Sequence, residues 1–416
     1  KIQSPSSFKS LDLRATFVSL CIVSLCCKLF HSWTNRKRRR NCLCVALLNE
    51  LQYIFCLISE SVLAMVISAS MSCFPLTTPR VTGLIHAFSS ATQLRNSNFR
   101  CLSIAPSGPL HSFPFQEDGE IFLKKVLESM ESVYLSKNPT AVSVLDLIRS
   151  AERSGPISYD HFAFRTFGMN EHGINSMAKF FLDYGYKQRE ELSFPKKKLR
   201  AVWFSPPENE HEHFGDTING PLPRIFISEL LVHEMSQETQ DIIAKYVTAS
   251  GNGCNYAALA SALGHLTWKK PLHSDYMRLA RESEYAAWTL VNGYALNHVT
   301  ISTHRLKSQL KSILSTNQLV ESSGFKLNSE GGVLKDGLLL QSSTVADTIQ
   351  YEFSDGVVDS VPCSYMEFAE RLVLPQYNDL PLNQIKERHR RDGFEVGNAD
   401  KIFESTSQGQ MATKAA

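Results

Sequence analysis

"SYDHFAFRTFG" spans residues 158–168 and "ALNHVTIS" spans residues 295–302. Each is short, rich in aromatic or β-branched residues, and reads as a strand that opens near a histidine. Strand alternation puts His161, Ala163 and Arg165 on one face of the first. It puts Leu296, His298, Thr300 and Ser302 on one face of the second. Both histidines follow a residue with a side-chain oxygen, Asp160 and Asn297. A lone strand histidine is ordinarily a satisfied core residue. Two at matching places in two similar segments point to a shared task.

The flanking sequence repeats the same order. After the first strand come a helix, "INSMAKFFLDYGY", with Gly185 near its C-terminal end, and two strands, "LRAVWFSP" and "PRIFISELLV". "SQETQDIIAKYVTAS" reads as a helix capped by Ser236, with Glu238 in its first turn. After the second strand come a helix in "RLKSQLKSILSTNQLVESSGF" and strands in "GLLLQSSTV", "TIQYEFSD" and "SYMEFAERLVL". The expected fold class is therefore α+β, built from paired βαβββ modules that form a curved sheet, with added helices. Module one covers about residues 155–250 and module two about 295–375. A helical connector, 251–294, joins them, and a closing segment, 376–410, follows. Residues 117–410 form one catalytic domain on this reading, and 411–416 a tail.

In "SYMEFAERL" the side chains of Tyr365, Glu367, Ala369 and Arg371 share a face. Two histidines and one carboxylate from three strands make a three-ligand set that leaves about three positions open on an octahedral metal. Such a set suits Fe(II) with a chelating substrate and O2, and Mn, Co, Ni and Zn can use the same donors. Glu352 in "QYEFSDG" is the rival carboxylate. His211 and His213, in the polar loop "PENEHEHFGD", are a rival pair. Residues 117–416 hold no serine elbow, P-loop or GxGxxG, so hydrolase, kinase and dinucleotide readings lack their motifs.

Charge and cysteine are unevenly spread over the 416 residues. Residues 1–116 hold 12 of the 43 Lys/Arg and 3 of the 41 Asp/Glu, leaving 31 basic and 38 acidic side chains in the body. A mildly acidic body argues against nucleic acid as a partner. Only Cys254 and Cys363 of ten cysteines lie beyond Cys101, which favours a reducing compartment over a disulfide framework. Residues 71–116 contain eleven Ser/Thr, three Arg and no acid, the composition of an organellar transit peptide. Residues 1–70 are left as an unassigned upstream segment, disordered or foreign to the folded body. Their apolar runs are too short or interrupted by Glu50, Gln52 and Glu60, so no stable membrane association is expected.

"FAFRTFG" after His161, "NHVTIS" and "YMEFAER" together resemble the vicinal oxygen chelate superfamily. More closely, they resemble the plant, plastid-type branch of the 2-oxoadipate dioxygenase/decarboxylase family, over roughly residues 120–410. Glu367–Arg371 is also similar to the iron-glutamate strand of 4-hydroxyphenylpyruvate dioxygenases. The resemblance implies a non-haem Fe(II) enzyme with a small-molecule 2-oxo acid and O2 as partners. It implies conversion of 2-oxoadipate to 2-hydroxyglutarate and CO2, a step of lysine catabolism, in the plastid stroma. By the same resemblance His161, His298 and Glu367 would be the metal ligands and Arg165 would bind a substrate carboxylate. "DGFEVGNAD", 392–400, would supply further substrate contacts, with Val396 and Gly397 as the candidates. Two alternatives stay open: a non-redox isomerase or lyase of the superfamily on Zn or Ni, and a non-enzymatic binding protein of the same fold.

Overall fold

The structure is a computed structural model that describes residues 117–409, apart from 154, 208–214, 252–255, 308, 330–332, 334–336 and 408. The expectations for residues 1–116 and 411–416, and for the His211/His213 pair, lie outside the described residues. Two helices come first, α1 (Glu117–Lys137) and α2 (Pro139–Glu152). The two helices part at Asn138, where Pro139 takes the first position of the second.

Module one then reads β1 (Tyr159–Phe167), α3 (Ile174–Asp183), β2 (Lys187–Phe194), β3 (Leu199–Ser205) and β4 (Arg224–Leu230). Past the end of α3, Gly185 adopts φ 84°, a left-handed conformation that glycine reaches without steric cost. Module one closes on α4 (Gln237–Val247), and the connector holds α5 (Ala257–Leu263), α6 (His273–Glu282) and α7 (Glu284–Asn292). Ser236 caps α4 as expected, accepting from the Thr239 amide at 3.3 Å. Ser283 breaks α6 from α7 and caps the latter in the same way.

Module two comprises β5 (Leu296–Ser302), α8 (Ile313–Ser322), β6 (Leu339–Ser343), β7 (Thr348–Glu352), β8 (Val358–Pro362) and β9 (Tyr365–Arg371). It departs from the expected repeat in two ways. "TIQYE" does not join the main sheet; it pairs with β8 in a separate two-stranded hairpin. The counterpart of β2 shrinks to one bridge, Leu327 to Thr344. Both modules nevertheless share one seven-stranded sheet, in the order β2-β3-β4-β1-β5-β9-β6, curled into a half-barrel. The modules join through the antiparallel β1–β5 pair, and β1 and β5 are buried at every position. A last helix, α9 (Val396–Ile402), and the turn Phe403–Thr406 follow. No helix among the described residues is long and apolar enough to cross a membrane.

Candidate metal centre

Strand register sets the site. His161 pairs with Thr300, and Thr300 pairs with Glu367, so one row crosses β1, β5 and β9. The next row is Ala163, His298 and Tyr365. The small Ala163 leaves space beside His298. On a flat sheet His161 and Glu367 would stand two strand spacings apart, roughly 10 Å. The curl draws their tips together. His161 Nε2 lies 3.8 Å from Glu367 Oε2, His298 Nε2 lies 3.0 Å from the same oxygen, and the two Nε2 atoms are 3.3 Å apart. The three residues are 1, 5 and 0 % exposed. Among the described residues they are the one group of three or more His, Cys, Asp or Glu with ligand atoms this close.

Each ring is held from behind. His161 Nδ1 is 2.9 Å from Asp160 Oδ1, and His298 Nδ1 is 3.0 Å from Asn297 Oδ1. The ladder between β1 and β5 shifts register between Tyr159 and His161. This bulge skips Asp160 and frees its side chain to turn back to the neighbouring ring. Burial alone would raise the Asp160 pKa, but Arg371 and Arg224 outweigh it and hold the carboxyl well below its ordinary range. Asp160 is therefore an acceptor and His161 Nδ1 carries the proton. Burial, reinforced by the Arg165 charge, depresses the His298 pKa against the pull of Glu367. A neutral His298 that donates through Nδ1 to Asn297 has only a lone pair at Nε2.

Two lone pairs and a carboxylate oxygen thus converge. Glu367 Oε1 accepts from Gln341 Nε2 at 2.6 Å, whereas Oε2 has no donor. Thr300 Oγ1, 3.0 Å from His161 Nε2, can satisfy one of the three. Converging buried acceptors repel unless a cation sits among them. Two neutral imidazoles and one carboxylate are a donor set that divalent first-row metals accept. The residues present fit a metal ion.

Arg165 lies four residues beyond His161 on the same strand face and is 2 % exposed. Its guanidinium is flanked by the rings of Tyr285, Trp288 and Phe403, with centroids 5.0, 5.1 and 5.8 Å away. It donates to Thr406 Oγ1 at 3.0 Å and to the Phe403 carbonyl at 3.3 Å, and its Nε has no partner. Among the described residues no carboxylate stands within ion-pair distance of it. Burial without that compensation lowers its pKa. Tyr365 links the two halves of the site: its ring stacks on His298 at 4.7 Å and its hydroxyl interacts with Arg165. A desolvated guanidinium with spare donors is a receptor for a carboxylate.

Residues 123–380 match the sequence profile of 2-oxoadipate dioxygenase/decarboxylase. The chain is also 64 % identical over 298 residues to the chloroplastic 2-oxoadipate dioxygenase/decarboxylase of Arabidopsis thaliana, covering 71 % of this chain and 80 % of that one. The chain belongs to the 2-oxoadipate dioxygenase/decarboxylase family. A solved structure of the hydroxyglutarate synthase from Oryza sativa, in complex with 2-oxoadipate, is 61 % identical with a TM-score of 0.70, covering 74 % and 98 % of the two chains. A glyoxalase-superfamily protein from Ralstonia eutropha shares the fold at 19 % identity and a TM-score of 0.50, covering 66 % and 91 %.

The residues picked from sequence for this 2-oxoadipate dioxygenase/decarboxylase family member divide cleanly. His161, His298 and Glu367 converge, and Arg165 lies beside them. Glu352 sits in the outlying β7–β8 hairpin, exposed and paired with Lys270 at 3.0 Å. Val396 opens α9 with its side chain 47 % exposed, and Gly397 follows it along the same helix. From that segment it is Phe394 that reaches the site, its ring 4.8 Å from His161, edge to face. Gln341, Thr300 and the aromatic flank of Arg165 were not read from sequence. For the flank the available signal was Tyr285 and Trp288 three residues apart on one helix face.

Proposed function

We propose that this chain is a plastid Fe(II) enzyme that converts 2-oxoadipate and O2 into 2-hydroxyglutarate and CO2. The observation that carries the reading is the buried pairing of a His161–His298–Glu367 cluster with an arginine that lacks a carboxylate. A dicarboxylic 2-oxo acid has a group for each. The family's 2-oxoadipate name, the ligand of the rice structure and the chloroplastic label of the Arabidopsis relative support substrate and compartment.

His161 and His298 would hold the metal through Nε2, and Glu367 through Oε2. Bound there, Fe(II) would supply the redox chemistry and the adjacent open positions that a 2-oxo acid and O2 need. The chain does the rest. Asp160 and Asn297 keep the Nδ1 protons in place, so both rings present a lone pair. Gln341 fixes one Glu367 oxygen and leaves the other for the metal. Arg165 can take a substrate carboxylate by two parallel hydrogen bonds, and its aromatic flank keeps water from competing. Phe394 and Tyr365 pack against the two ligand rings and dry the site. The atoms balance: a six-carbon oxo diacid plus O2 equals a five-carbon hydroxy diacid plus CO2.

Product analysis tests the proposal. Purified protein given Fe(II), O2 and 2-oxoadipate should form 2-hydroxyglutarate and CO2 in equal amounts, with one O2 consumed for each. Turnover of 2-oxoadipate without O2 uptake would point instead to the non-redox members of the superfamily.

A further inference from the structure

We propose that Arg371 is a positioning residue for His161, acting through Asp160 and tying that ligand to the chain that covers the site. The inference rests on the reading of His161 as a metal ligand. Asp160 Oδ1 is 2.8 Å from Arg371 Nη2 and 2.9 Å from His161 Nδ1, so one oxygen serves both. Arg371 Nε donates to Asp160 Oδ2 at 2.6 Å. Arg371 Nη1 donates to the carbonyls of Gly393 at 2.7 Å and Arg391 at 3.1 Å. The guanidinium also lies 5.3 Å over the ring of Phe394, the ring that abuts His161. Arg371 therefore supports His161 at Nδ1 through a carboxylate and at the ring through an aromatic.

The arrangement is one-sided. His298 donates to a neutral amide, Asn297, whose Nδ2 has no partner. Arg224 lies 3.5 Å from Asp160 and is held more closely by Asp392, at 2.7 Å. The side chains of Asp160 and Arg371 have no exposure at all. A buried ion pair of this kind is often no more stabilising than apolar side chains of equal size, so stability does not explain its place. Its place does: a charged acceptor at Nδ1 fixes the tautomer and strengthens Nε2 as a donor to a cation. Arg371 also follows Glu367 by four residues on β9, so the strand that carries the third ligand carries the brace of the first.

The test is Co(II) binding to metal-free full-length chain, read by dissociation constant and by the visible ligand-field band. Arg371→Lys keeps the charge but loses the fork. It should weaken Co(II) by about tenfold or more, within the range for such outer partners, and shift the band. Wild-type affinity with an unshifted band would overturn the proposal. Should Arg371→Lys fail to fold, Asp160→Asn keeps an oxygen for Nδ1 and removes the charge, and the same tenfold threshold decides. Folded wild type that binds no Co(II) would remove the metal reading itself, and this inference with it. Wild type that binds Co(II) beside an unaffected Arg371→Lys would remove only the role of Arg371.

Discussion

Glu367 Oε2 faces His298 Nε2 across 3.0 Å and has no hydrogen-bond donor. A direct hydrogen bond would need an imidazolium, because His298 Nδ1 is already committed to Asn297. Burial disfavours that charge. The pair is therefore costly without a cation. A metal that binds only the folded chain should stabilise it by about 2.7 kcal/mol at a hundredfold excess over Kd. Thermal unfolding with and without metal should show a rise in Tm. His298→Ala should abolish both the rise and stoichiometric metal, while Glu352→Ala should keep both. A His298→Ala variant with full metal content would break the cluster reading.

Arg165→Lys retains one charge and loses the planar fork. Its kcat/KM for 2-oxoadipate should fall at least tenfold, about 1.4 kcal/mol of transition-state binding. Metal content should stay normal, because Arg165 is not a ligand. Monocarboxylic 2-oxo acids should be spared if Arg165 holds the distal carboxylate. Unchanged kinetics across a panel of 2-oxo acids would take Arg165 out of the site.

Gly173 stands at the head of α3, against Glu229. That carboxylate accepts from the Ile174 amide at 2.7 Å and from Arg200 Nε at 2.7 Å. A Cβ at residue 173 would overlap Glu229 Oε2. Gly173→Ala should cost about 1–3 kcal/mol by overpacking and by displacing the carboxylate. Urea unfolding should show a lower midpoint at unchanged slope. An unchanged midpoint would show that the carboxylate yields without loss.

Glu282 ties the connector to module one through Ser236 and Lys198. Burial would raise its pKa, but hydrogen bonds from Ser236 and Thr239 and the Lys198 contact bring it down to about 2. A depressed carboxyl stabilises the fold above its unfolded pKa of 4.5 and loses that contribution as pH falls towards 2. The stability gap between wild type and Glu282→Gln should be open at neutral pH and narrow below 4.5. A gap constant over that window would mean that the Glu282 charge does not matter.

Residues 71–116 give a prediction of their own. A reporter fused to residues 71–116 should enter plastids, because that stretch is rich in Ser/Thr and lacks acids. Retention in the cytosol would separate the family assignment from the compartment.

Much of the site was legible because strand alternation is a strict rule. It put His161 with Arg165, and Glu367 with Arg371, on shared faces before any fold was known. In module one β1, β3 and β4 were legible for the same reason, whereas β2, Lys187–Phe194, whose first five residues are all polar and exposed, was not read as a strand. Module two was legible in β5, β6 and β9 but not in its outer part, because a bridge of one residue pair, Leu327 to Thr344, leaves no pattern to read, and "TIQYE" alternates as well in a hairpin as in a sheet. Tertiary pairing hid the rest. Arg371 and Asp160 are 211 residues apart, and nothing local reports that they meet. In the closing segment the backbone turns Val396 outward and Phe394 inward, a choice that composition does not encode.

Oxygen uptake tests the central claim most directly. Metal-free chain would be reconstituted with Fe(II) or with Zn(II) and given 2-oxoadipate in an oxygen electrode, with Fe(II)-treated His298→Ala beside it. The Fe(II) wild type should consume O2 in step with substrate, and the other two should not. Substrate turnover on Zn(II) without O2 uptake, or full O2 uptake by His298→Ala, would contradict the assignment of His161, His298 and Glu367 as a dioxygenase iron site.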